Sequence, residues 1–84
     1  MTRYHVLVSD ELMAQPDLQM PEGFRFIEPS GPSDDGHARW WLAEDDNAPI
    51  TLEQHRVEPV FTRHHDGRVT ITERHIVNEH GWRV

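Results

Sequence analysis

Two runs rich in β-formers, residues 56–65 and 68–78, flank Asp66-Gly67. This pair constrains the fold more than any other feature, because Asp-Gly between alternating apolar residues is a hairpin signal. The register follows from the apolar pattern. A two-residue loop would pair Phe61 with Thr72 and scatter apolar side chains over both faces. A three-residue loop, His65-Asp66-Gly67 with Gly67 left-handed, pairs Phe61 with Ile71 and His64 with Arg68. It gathers Val57, Phe61, Val69, Ile71 and Val77 on one face. Thr62, His64, Thr70, Thr72, Arg74 and Asn78 fall on the other. A slip of one residue exchanges the faces, so the segregated register with a G1 bulge is the predicted one. Pro59 has no N–H, which places its strand at an edge or turns that position away from a neighbour.

The rest of the chain reads as short strands broken by polar turns. Residues 2–8 alternate, with Tyr4, Val6 and Val8 on one side. Ser9 is an N-cap for a short helical turn through Asp10 and Glu11 that Pro16 stops. Residues 24–28 form a strand ended by Pro29, and Pro29-Ser30-Gly31-Pro32-Ser33-Asp34-Asp35-Gly36 is the strongest loop signal in the chain. Residues 37–43 resume strand character, and Thr51-Leu52-Glu53-Gln54 has the spacing of one capped helical turn. With 84 residues the chain is expected to form one domain, residues 1–84, with acidic loops at about 29–36 and 44–49 and a hairpin at about 56–78. The expected fold class is all-β or β-rich α+β. It is a small antiparallel sheet or half-open barrel of four to five strands, with a C-terminal β-hairpin and one or two short helical turns. Its core would gather Phe26, Trp40, Leu42, Phe61, Val69 and Ile71.

Several kinds of chemistry are argued against by residue type. There is no cysteine, which removes disulfides, thiolate metal sites and cysteine nucleophiles together. Seven histidines are present, but none lies in a His-x-His or His-Glu-x-x-His pattern, and His64 and His65 point to opposite faces of a strand. No Gly-x-Ser-x-Gly and no phosphate-binding glycine loop occurs. The acidic turns lack the alternating ligands of a calcium loop. No catalytic residue, cofactor or metal is therefore expected, and a metal-dependent enzyme ranks last among the functions considered. The longest apolar runs fall far short of the roughly 18 residues of a membrane span, and the first residues do not open a signal peptide. The expected location is cytoplasmic, or the virion if the chain is phage-encoded.

Charge is unevenly distributed. Residues 10–53 carry eleven acids against Arg25 and Arg39, a net −9, whereas residues 54–84 are +1 with five arginines against four acids. The balance argues against direct binding to nucleic acid, which needs clustered cations. All eight cations are arginine, a usage that GC-rich coding explains. Asp34, Asp35, Glu44, Asp45 and Asp46 make a candidate acidic patch, and Arg63, Arg68 and Arg74 a candidate basic one. Two adjacent tryptophans on a strand face opposite ways, so Trp41 and the C-terminal Trp82 are candidate outward anchors. These ten residues form the candidate interaction set. The leading expectation is a non-enzymatic protein–protein interaction or assembly protein, with copies of itself in a ring, an array or a larger shell as partners. The best-fitting setting is a small phage virion accessory (capsid decoration, cement or head–tail adaptor). The alternative is a small acidic inhibitor, an antitoxin or a nucleic-acid mimic.

Overall fold

The computed structural model describes every residue, Met1–Val84. Five strands form one mixed sheet in the order β2-β3-β1-β4-β5: β1 (Thr2–Ser9), β2 (Phe24–Pro32), β3 (Ala38–Asp45), β4 (Arg56–Arg63) and β5 (Val69–Val77). The β-rich fold and the strand number agree with the reading above. All pairings are antiparallel except one: β1 runs parallel to β4 through His5–Arg56 and Val6–Val57. Local pattern carries no sign of this pair, because its partners lie about fifty residues apart.

Ser9 caps α1 (Asp10–Met13), its hydroxyl accepting from Leu12 N–H at 3.2 Å with two acids in the first turn. Residues 10–23 then cross from one end of the sheet to the other, because β2 lies beyond β3 and parallel to β1. This crossover packs Leu12, Met13 and Met20 on the core. Its Gln19 pairs with Arg68 at the start of β5. The return from β3 to β4 wraps the N-terminal end of β1 through a 3-10 turn at Ile50–Leu52. Gln54 N–H donates to Arg3 C=O at 2.8 Å and His5 N–H to His55 C=O at 3.0 Å. No helix is long and apolar enough to cross a membrane.

Tyr4, Val6, Val8, Phe24, Ala43, Leu52 and Val57 form the buried cluster, with Phe26, Trp41, Phe61 and Ile71 packed on it. Phe24 on β2 and Phe61 on β4 are three strand spacings apart, about 14 Å in a flat sheet. Their ring centroids lie 6.2 Å apart, so the sheet rolls around this inner face without closing into a barrel. The expected core is corrected at two positions: Trp40 is buried on the opposite, outer face beneath Arg56, whose guanidinium carbon lies 5.1 Å from the indole centroid, and Leu42 lies on that face too, opposite His5.

The hairpin has the predicted three-residue loop. Phe61 pairs with Ile71, His64 N–H donates to Arg68 C=O at 2.8 Å, and Gly67 has φ +88°. A bulge between Val60 and Phe61 then places Thr72 as an extra residue on β5. Beyond it the faces exchange, so Arg74, opposite Pro59, turns inward instead of outward. Pro59 is not on an edge strand; it lies just past the point where β4 leaves its pairing with β1. Strand β2 also departs from expectation. It continues through Pro29 to Pro32, taking up the irregularity in two register shifts, so the first acidic turn shortens to the residues around Asp34 and Asp35. Prolines and bulges suit an edge strand, where a missing donor costs no ladder bond.

Candidate interaction surface

The structure divides the ten candidate residues into an interior group and an exposed group. Asp45 is fully buried. Its Oδ2 accepts from the Tyr4 hydroxyl at 2.5 Å and from Arg74 Nε at 2.8 Å, while Oδ1 accepts from Arg74 Nη2 at 3.3 Å and from Asn47 N–H at 3.1 Å. Four donors satisfy a carboxylate that would otherwise be very costly to bury. Burial, then the Asp45 hydrogen bond and charge, push the Tyr4 hydroxyl far above the usual phenol range. Burial works against the Arg74 charge, but Asp45 and Tyr4 outweigh it and hold the guanidinium even more firmly protonated.

Glu44 points to the outer face and is 2% exposed. Arg3 on β1 and Arg25 on β2 are its register partners on either side, and both bond its carboxylate, Arg3 at 2.9 Å. Desolvation opposes ionisation, but the Arg3 hydrogen bond and the Arg25 and Arg3 charges prevail, holding the carboxyl below its ordinary value. Trp41 packs against Phe26 with centroids 5.2 Å apart, and its indole N–H is enclosed without an acceptor. Asp45, Arg74 and Trp41 thus serve the interior, correcting their expected outward placement, while Glu44 does face outward but is covered by Arg3 and Arg25. The acidic patch divides accordingly: Asp46 sits at the far end of β3 from Asp34 and Asp35.

The exposed candidates other than Asp46 gather at one end of the sheet. The β2–β3 turn with Asp34 and Asp35 and the hairpin tip with Arg63 and Arg68 both lie at the Ser9 end of β1, since Ser9 pairs with Ala38 and Arg63 lines a hollow with Ser9 and Glu11. Asp35 accepts from the His37 N–H at 2.9 Å and the Ser33 hydroxyl at 2.7 Å, which hold its carboxyl below its usual range. The C-terminal tail folds back against β5 through a Val77–Arg83 bridge. Its Asn78 side chain accepts from the N–H groups of His80 and Trp82. His80 Nδ1 meets Asp34 Oδ2 at 2.6 Å; that hydrogen bond and the Asp34 charge raise the imidazole's pKa above its ordinary value. Trp82 is 71% exposed and shares a hollow with Asp34, Asp35 and Leu7.

Sequence reasoning passed over Tyr4, Arg3 and Arg25 as partners of the buried acids. Their alignment becomes visible only once the order β2-β3-β1 is known. No group of three or more His, Asp or Glu side chains converges as metal ligands would. The chain matches no protein-family model, no curated protein and no solved structure.

Proposed function

We propose that the domain is a non-enzymatic interaction module that docks a protein through the Ser9 end of its sheet, and that a second copy of this chain is the partner its charges fit best. The observation that carries this reading is Trp82: 71% exposed, beside Asp34 and Asp35, at the end that also presents Arg63 and Arg68. Tryptophan and arginine dominate the energy of protein interfaces. Exposed ion pairs contribute only about 0–1 kcal/mol each, so the rim charges orient the contact and the indole anchors it. Patches of opposite sign at one end meet reciprocally across a two-fold axis, whereas a ring or array needs them on surfaces that point apart. A reciprocal pair is therefore the preferred form of self-contact. A small virion accessory, such as a capsid decoration or cement component or a head–tail adaptor, is the setting such a short module suits. The acidic inhibitor, antitoxin or nucleic-acid mimic is the weaker reading, because Asp45 is buried and Glu44 is covered and neutralised by Arg3 and Arg25.

Sedimentation of the protein at low and high salt tests the self-contact. The expected result is a concentration-dependent dimer at low salt that weakens as salt rises and becomes monomeric in Trp82→Ala. A protein monomeric at all concentrations, or a Trp82→Ala variant that pairs as the parent does, would overturn it.

A further inference from the structure

The outer face carries a cleft of two neighbouring hollows: one contains Trp82, the anchor of the end-on contact, and the other lies beside Arg56, which that contact does not use. One hollow of about 490 Å³ opens beside His5, Gly31, Trp40 and Arg56. A second of about 400 Å³ opens beside Leu7, Ala38 and Trp82. Asp34 and His80 border both, so the contact between those side chains is the wall the two hollows share. Each is the size of a small-ligand cavity, about 300–1,000 Å³. The first is lined mainly by polar groups and the second mainly by apolar surface.

The polar hollow contains a cation without an acidic partner. Arg3, Arg25, Arg68 and Arg74 each meet a carboxylate; of the four arginines that meet none, Arg56 is the one that lines this hollow. Its guanidinium carbon lies 5.1 Å from the Trp40 ring centroid, a cation–π contact that favours this position although the side chain is exposed. His5 is its register partner on the adjacent parallel strand, so the two side chains leave the same face side by side. A guanidinium beside an indole, with no acid bound to it, still offers its N–H donors to a carboxylate, and a neighbouring imidazole adds one more donor. Two acids also border this hollow, but both address His80: Asp34 at 2.6 Å and Glu79 at 3.7 Å. Both acids are largely solvent-exposed, which screens them.

We propose that this cleft binds a small monocarboxylate with an apolar body, the carboxylate on Arg56 and His5 and the body between Leu7 and Trp82. The distribution of chemistry along the cleft sets the orientation. The Asp34–His80 contact stands between the two hollows, so the ligand must pass over it and be slender there.

The probe is 3-phenylpropanoate, followed by NMR through the indole N–H signals of Trp40 and Trp82 and the ring signals of His5. Saturable shifts at both ends of the cleft are expected. 3-Phenylpropanol, which lacks the charge, should bind about tenfold more weakly or worse, since a hydrogen bond to a charged group is lost. Arg56→Gln, with its melting temperature checked, should lose about the same factor for the acid and little for the alcohol. If that variant unfolds, the acid–alcohol comparison on the parent protein decides. Absence of saturable shifts up to about 10 mM, equal binding of acid and alcohol, or tighter binding of phenethylamine would each overturn the proposal. Both readings use Trp82, so the titration is run at a protein concentration where sedimentation shows a monomer; failure to bind there leaves the end-on reading standing, and a protein that never pairs can still bind the acid.

Discussion

Asp45 shows how far a single residue can depart from the habit of its neighbours. In Glu44-Asp45-Asp46 it reads as one of three solvated acids, yet it is fully buried. Its partners Tyr4 and Arg74 stand 41 and 29 residues away in sequence, and nothing local announces them. Removing one partner strands the charge. Arg74→Ala should cost about 3–5 kcal/mol in urea unfolding, because the carboxylate stays buried and uncompensated. Tyr4→Phe removes one hydrogen bond to a charged group and should cost about 1.5–3 kcal/mol. Tyr4 is the only tyrosine, so its ultraviolet titration is unambiguous. Its folded pKa is raised, so the folded chain keeps a proton that the unfolded chain releases near pH 10. Stability is therefore full below about pH 10 and falls as pH climbs above it. The phenolate signal should appear together with loss of fold, not before it.

Elements were legible where the pattern was local and closed. The hairpin turn is the clearest case, since Asp66-Gly67 and the apolar alternation around it determine both loop length and register. Gly67 has φ +88°, and a Cβ there would come 3.0 Å from the Asp17 backbone oxygen. Gly67→Ala should cost about 1–2 kcal/mol, from the left-handed conformation and the displaced crossover loop together. The bulge at Thr72 was not legible, because threonine suits a paired and an unpaired strand position equally well. That one residue decides whether Arg74 faces water or Asp45. Strand β2 was under-read for the opposite reason: Pro29 and Pro32 signal a loop, but on a sheet edge their missing donors face no partner strand. The tail depends on Gly81, φ +84°, whose added Cβ would lie 2.8 Å from Leu7 Cδ2. Gly81→Ala should lift the tail and speed amide exchange at Trp82. The same exchange should depend on pH through His80. Its pKa is raised in the fold by Asp34, so the tail is best held below the ordinary histidine range and loosens as pH rises through the raised value. Asp34→Asn should flatten that dependence.

At the scale of the whole molecule, strand content and domain size were legible and strand order was not. A radius of gyration of 12.0 Å matches the roughly 12 Å of a folded chain this long, so neither the proline-rich edge nor the tail is splayed. The candidate site was legible only as an inventory of charges and aromatics. Which acids were spent in the interior, and which end of the sheet collected the remainder, depended on placing β1 in the middle. That placement also governs how the molecule can be made during synthesis. Strand β1 leaves the ribosome before every other strand, yet its two flanks come from residues 38–45 and from Arg56 and Val57. Until then Tyr4, Val6 and Val8 are exposed on an unpaired strand. A nascent chain arrested before β4 emerges should be protease-sensitive throughout, and protection should arrive in one step near the C-terminus, not domain-part by domain-part. Such a chain is committed to folding late, with its central strand waiting longest for its neighbours.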